Sequence, residues 1–215
     1  MKTPTKTKPI STQAHPEHLS WLEKHVPTIL IGSGLVGVFA SLMLSIEEIE
    51  HLKHPAAKLG CDLNPIVGCG SIIDAWQGHA LLGVPNQLWG LAIFAAVTTI
   101  GFTILAGATM KRWFWVSLQA GMTVGMLFVL WFMSQSLFVL KHLCPYCMLT
   151  WAAMLPAFWY ITLYAIRAEH LKLHGNLAKI NHFAQKHHAD ILASAYLLIF
   201  VAIVWRFWYY WQTLI

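Results

Sequence analysis

Residues 144–166 read CPYCMLTWAAMLPAFWYITLYAI, a run without a single Asp, Glu, Lys or Arg. At about 1.5 Å of rise per residue, a helix of this length crosses a hydrocarbon core of about 30 Å. Four more apolar runs cover about 28–46, 87–109, 113–140 and 191–212. The chain therefore reads as five spans. Composition agrees: of 215 residues, 57% are apolar and 11% charged, against about 25% charged in a soluble domain. An ordinary soluble globule, a disordered tail and a collagen-like fibre are excluded. The expected class is all-α, a polytopic membrane protein.

Between the runs lie polar segments. Residues 1–27 form a basic arm with Lys2, Lys6, Lys8 and Lys24, ending in an amphipathic stretch around Leu19, Trp21 and Leu22. The first apolar run begins near Thr28, late for a signal peptide, and no small-x-small cleavage site follows it, so it is expected to be retained. Its Gly32, Gly34 and Gly37 suit close helix contact, as do Gly121 and Gly125 in the third run. A hydrophilic segment at 47–85 is punctuated by Pro55, Pro65 and Pro85. A basic, histidine-rich connection at 167–189 precedes a last segment, 190–215, whose Trp and Tyr residues suit an interfacial anchor. The expected organisation is an arm (1–27), a four-helix unit (28–166) with an outer segment (47–85), a connection (167–189) and a fifth spanning helix (190–215).

Lys and Arg fix the expected orientation. Ten lie in the arm, the 110–112 turn and the 167–189 connection; the other four are Lys53, Lys58, Lys141 and Arg206. Glu47, Glu48 and Glu50 fall with the smaller group. By the positive-inside rule the amino terminus is cytoplasmic and the 47–85 segment outside. The net charge of +5 then reflects topology, and no nucleic-acid partner is expected.

All four cysteines fall on the outer side, where oxidation is favoured. Cys61 and Cys69 lie in the 47–85 segment, and Cys144-Pro145-Tyr146-Cys147 opens the fourth span. A Cys-x-x-Cys at a helix amino terminus gains thiolate character from the dipole and free N–H groups. A loop pair and a helix-end pair suit a two-stage relay, one dithiol meeting a water-borne partner and the other something in the lipid. Two other readings stay open at this point. One is a non-enzymatic membrane protein whose outer loop is stapled by disulfides; the other is a Cys/His metal-binding membrane protein.

The stretch Cys61-Asp62-Leu63-Asn64-Pro65-Ile66-Val67-Gly68-Cys69-Gly70-Ser71, then Gly83-Val84-Pro85-Asn86 with Trp89-Gly90, then Cys144-Pro145-Tyr146-Cys147, resembles the vitamin K epoxide reductase family. The likeness is to its bacterial members, which oxidise thiols at the expense of a quinone, and it covers about 28–166. It implies four helices around a quinone pocket in a bacterial inner membrane, with ubiquinone or menaquinone as acceptor. It implies that Cys147 faces the quinone, that Cys144 exchanges with the loop, that Cys69 attacks Cys144, and that Cys61 meets the external partner. Asn86 matches an asparagine that hydrogen-bonds a quinone carbonyl; otherwise it is a cap or turn residue.

Two positions depart from the family pattern. Members often carry a hydroxyl five or six residues after the second loop cysteine. Here those positions are Asp74 and Ala75, so Asp74 or the nearest hydroxyl, Ser71, is the candidate for that polar role. Vertebrate members have a tyrosine four residues after the last cysteine, where this chain has Trp151, an indole donor or a packing residue. Some bacterial members carry a fused thioredoxin-like domain. This chain ends after the fifth span, so the expected partner is a separate thioredoxin-like (DsbA-like) periplasmic protein, with lipid and quinone as the other contacts.

Outside this set, His170, His174, His182, His187 and His188 crowd the 167–189 connection, where a helix meeting anionic headgroups is the favoured reading over a metal site. His142 stands two residues before Cys144, as an imidazolium favouring its thiolate or as an interface residue. Nothing resembles a phosphate loop or a hydrolase triad.

Overall fold

In lipid, an unbroken helix satisfies every backbone N–H and C=O within one segment, and this chain forms such helices repeatedly. The computed structural model describes residues 18–168 and 183–212. Its elements are α1 (His18–Lys53), α2 (Gly70–Ile73), a 3-10 turn (Trp76–His79), α3 (Asn86–Leu105), α4 (Arg112–Ser134) with a π-helical extension (Gln135–Leu140), α5 (Pro145–Arg167), α6 (His188–Arg206) and α7 (Trp208–Trp211). Among the described residues five helices are long and apolar enough to cross a membrane: Lys24–Lys53, Asn86–Leu105, Arg112–Leu140, Pro145–Ile166 and His188–Arg206. The fold is all-α and polytopic, as the apolar runs require. His170, His174 and His182 lie outside the described residues.

α1 is longer than its apolar run. It has 36 residues, about 54 Å at 1.5 Å each, and so outreaches the hydrocarbon core at its ends. The polar residues Glu47 to Lys53 continue the helix because none of them breaks it; the chain leaves it just before Pro55, whose ring disfavours helix in the residue ahead. The third run also ends unexpectedly. Gln135–Leu140 widens into a π-helix, and Lys141 adopts a left-handed φ of 57°. His142 N–H then donates to Ser136 O (3.3 Å), and the chain is turned back at Leu143 towards α5.

α1 is the hub, packing mostly against α3 and α5, while α5 also packs on α4. α3 and α4 share almost no direct contact. Gly34 and Gly37 permit the α1–α3 approach. A Cβ on Gly34 would overlap Thr98 Oγ1 and lie 2.8 Å from Thr98 N, and one on Gly37 would overlap the Phe94 ring. Gly32 has nothing within 4 Å of a built Cβ. Gly34→Leu is therefore expected to cost about 1–3 kcal/mol through overpacking, seen as a lower unfolding midpoint in detergent, and Gly32→Leu to leave that midpoint unchanged. Equal effects of the two substitutions would contradict this packing. In the third run, a Cβ on Gly125 would lie 2.8 Å from Met154 Cε, while one on Gly121 would meet nothing within 4 Å, so only Gly125 sits where a neighbouring helix leaves no room for a side chain.

α6 lies alongside. Trp159 Nε1 donates to His188 O (3.0 Å) and Tyr196 O–H to Ala152 O (2.6 Å), both tying it to α5. Just past its end, Phe207 is fully buried in the same apolar cluster as Cys69, Cys144 and Trp151, so this end of α6 is also the cysteine end.

Candidate active site

The segment between α1 and α3 caps that end of the bundle, and its side chains close its own turns. Asn64 Oδ1 accepts from the N–H groups of Ile66 (3.0 Å) and Val67 (2.8 Å), a local closure that asparagine favours. The chain then pairs with the turn before α5: Leu143 N–H donates to Ile66 O (2.8 Å) and Gly68 N–H to Leu143 O (2.9 Å). The next residue on each side is a cysteine, so this pairing brings Cys69 beside Cys144. Asp62 Oδ1 holds the start of α2, accepting from Cys69 N–H (2.8 Å) and Gly70 N–H (3.3 Å).

Cys61 and Cys69 form a disulfide with a Cα–Cα distance of 5.8 Å. Cys144 and Cys147 are free thiols, both buried. The sulfurs of Cys69 and Cys144 stand 3.4 Å apart, against about 2.05 Å in a formed disulfide. Cys144 is the N-cap of α5, with Pro145 at the first helical position, where its missing N–H leaves no helix bond unmade. The Cys144 sulfur accepts from Cys147 N–H at 3.3 Å. Its thiol is held below the ordinary value, first by hydrogen bonding from the Cys147 side chain. Burial works against this; the N–H groups of Cys147 and Tyr146 add to the lowering, and the Asp62 carboxylate opposes it weakly. The balance favours thiolate, the nucleophile of exchange.

Beneath the cap is a cavity of about 650 Å³, lined by α1, the cap, α3, α4 and the start of α5. Cys147, Asn86 and Trp151 all line it. The model of the vitamin K epoxide reductase family matches residues 28–162.

The chain belongs to the vitamin K epoxide reductase family. That family consists of membrane thiol oxidoreductases and is generally quinone-linked. The cavity suits such a ligand. Its walls are mainly apolar side chains of α3 and α4, and two buried polar atoms with no hydrogen-bond partner, Ser41 Oγ and Asn86 Oδ1, belong to lining residues. Leaving such atoms unpaired costs about 1–3 kcal/mol each, a deficit that a ligand with carbonyl or hydroxyl groups removes. Asn86 is fixed by donation from Nδ2 to Gln77 O (2.6 Å). Its second amide hydrogen can serve a carbonyl, and its free Oδ1 a hydroxyl.

The other sequence candidates of this family member lie elsewhere. Asp74 is an exposed partner of His51 (2.9 Å), and Ser71 is exposed on α2; neither lines the cavity. Trp151 is buried within it. The ring of His142 bonds back to Leu140 O (2.9 Å). Among the polar lining residues that the sequence does not single out as site residues are Glu48, His79 and Gln87. Only the three-dimensional structure brings them together, since they come from α1, the 3-10 turn and α3.

Proposed function

We propose that the protein passes electrons from a reduced thioredoxin-like periplasmic protein, through Cys61–Cys69 and then Cys144–Cys147, to a membrane quinone, so supporting disulfide formation outside the cell. The observation that carries this reading is the 3.4 Å contact between Cys69 and Cys144, next to a Cys147 that lines an apolar cavity.

The partner's thiolate attacks Cys61, and Cys69 is released as thiolate; the partner's second thiol then displaces Cys61, so the partner leaves as its disulfide and Cys61 becomes a thiolate. Cys69 attacks Cys144 of an oxidised Cys144–Cys147 pair, and Cys147 leaves. Cys61 then attacks Cys69, restoring the loop disulfide and freeing Cys144. Loop pair closed and helix pair open is the redox combination described above. Quinone bound in the cavity supplies a two-electron, two-proton sink. Cys147, facing it, passes the electrons on as Cys144–Cys147 closes. Asn86 and Ser41 orient the polar groups of the ring, Trp151 packs the wall, and the apolar lining excludes water from the Cys147 sulfur. Asp74 and Ser71, outside the cavity, have no direct part. Each exchange needs the attacking sulfur to reach its target, and Cys61 is only 4% exposed, so the cap must open to admit the partner.

The bacterial inner membrane, with the amino terminus cytoplasmic and the cap outside, is supported by the ten-to-four distribution of Lys and Arg. Among the described residues no three His, Cys, Asp or Glu side chains converge as metal ligands; His170, His174 and His182 lie outside them. The deciding experiment mixes purified protein with a reduced thioredoxin-like donor and either ubiquinone or menaquinone, and follows quinone absorbance. Donor-dependent loss of absorbance is expected. Inert disulfides and no quinone consumption would favour the stapled, non-enzymatic reading.

A further inference from the structure

Glu48 is an acid in an unexpected place. It sits within the first spanning helix, is only 7% exposed, and lines the same cavity as Cys147. Its Oε1 lies 3.0 Å from His79 Nε2, and its Oε2 accepts from Gln87 Nε2. His79 also lines the cavity, yet its side chain is 33% exposed. The pair therefore joins a partly exposed imidazole to a buried acid on the cavity wall. Pairing so buried an acid with an imidazole adds little stability, since desolvation offsets most of the attraction. A buried acid on the wall of the cavity that also holds the reactive cysteine points to function instead.

We propose that Glu48 and His79 form the proton path to the quinone. This rests on the reading of the site given above. Reduction of a quinone to its quinol takes two electrons and two protons, one proton at each carbonyl. The carbonyls lie on opposite edges of the ring, so a single donor cannot serve both. As Cys144 and Cys147 close their disulfide, they give up two electrons and two protons. The Cys147 proton goes to the nearer carbonyl. Glu48 gives a proton to the other, and the second thiol proton leaves to the outer water. His79 returns one proton from that water to Glu48. Two thiols become one disulfide, the quinone becomes a quinol, and the path ends with its proton restored.

Glu48→Gln separates this role from that of a latch holding cap to bundle. Glutamine keeps the shape and can still hydrogen-bond His79 and Gln87, but it cannot pass on a proton. With the full chain in lipid nanodiscs, a reduced thioredoxin-like donor and a soluble ubiquinone analogue, quinol formation is expected to fall about 100-fold in Glu48→Gln and about 10-fold in His79→Asn. Quinone affinity, read from tryptophan quenching, should stay within about threefold, and alkylation should find Cys144 and Cys147 accumulating as thiols. In Glu48→Ala, added formate should restore part of the rate by supplying a diffusible acid. A wild-type rate in Glu48→Gln would overturn the path, as would loss of binding together with rate, which marks a latch. Wild-type protein that reduces no quinone overturns the reading of the site, and this inference with it.

Discussion

Cys147→Ser is expected to accumulate a Cys69–Cys144 disulfide and to reduce no quinone. The two sulfurs are already 3.4 Å apart, so bond formation requires an approach of only about 1.4 Å. The main cause of Cys144 activation survives the substitution. A serine hydroxyl can still donate to the Cys144 sulfur, and the backbone N–H of residue 147 is unchanged. Cys144 thiolate then attacks Cys69 and releases Cys61; residue 147 cannot resolve the mixed disulfide, and capping the released Cys61 with an alkylating agent keeps it from attacking back. Peptide mapping under non-reducing conditions should show that bond enriched at least about tenfold over wild type, with no donor-driven quinone loss. Its rate of formation should rise with pH and level off below the ordinary thiol range, because the lowered Cys144 value fills the thiolate form early. Cys144→Ser should form no such bond. A Cys61–Cys144 bond would reverse the order of the loop cysteines, and no inter-pair bond at all would sink the relay.

Cys61→Ala should divide the reaction in two. Transfer from the protein donor is expected to drop at least about a hundredfold, because the sulfur that receives it is gone. A small dithiol such as dithiothreitol needs no docking surface and should still reduce Cys144–Cys147, and quinone with it, within a few-fold of wild type. Equal failure with both reductants would mean that Cys61 does more than shuttle electrons. Burial of Cys61 sharpens the contrast. In the closed cap neither reductant meets it directly, and only the protein partner depends on its thiol becoming accessible.

The spans were legible because each is a long apolar run between polar segments, and the environment demands one secondary structure for all of them. The end of α1 was not. Glu47 to Lys53 are sound helix formers in any setting, and nothing in their order says whether they extend a helix or begin a loop. The helix-end pair was legible from Cys144, Pro145 and Cys147 alone, since a proline after a cysteine marks a helix start. What joins the pairs was not legible. Cys69 and Cys144 are 75 residues apart, and they meet through backbone bonds at Gly68 and Leu143 that carry no side-chain signature. Within the motif, Asp62 and Asn64 hold the cap turn, and Asp74, the candidate polar group by the family pattern, pairs with His51 at the surface. Glu48 was hidden for the opposite reason. Counted with Glu47 and Glu50 as outer charge, it gains its meaning only from His79 and Gln87, which folding brings to it.

The near absence of contact between α3 and α4 has a kinetic meaning. Trp89, Ile93 and Val124 line the cavity from these two helices and are also among the exposed apolar side chains. Under the proposed reading, a gap between α3 and α4 admits the oxidant from among the fatty acyl chains rather than from the aqueous phase. An oxidant arriving by that route searches in two dimensions, and its supply is set by its mole fraction in the bilayer, not by its amount per litre. Two membranes holding the same number of oxidant molecules would then drive turnover at different speeds, the one with less phospholipid being faster. Acyl chains compete for the same slot, so bilayer composition acts on the reaction as a ligand concentration would.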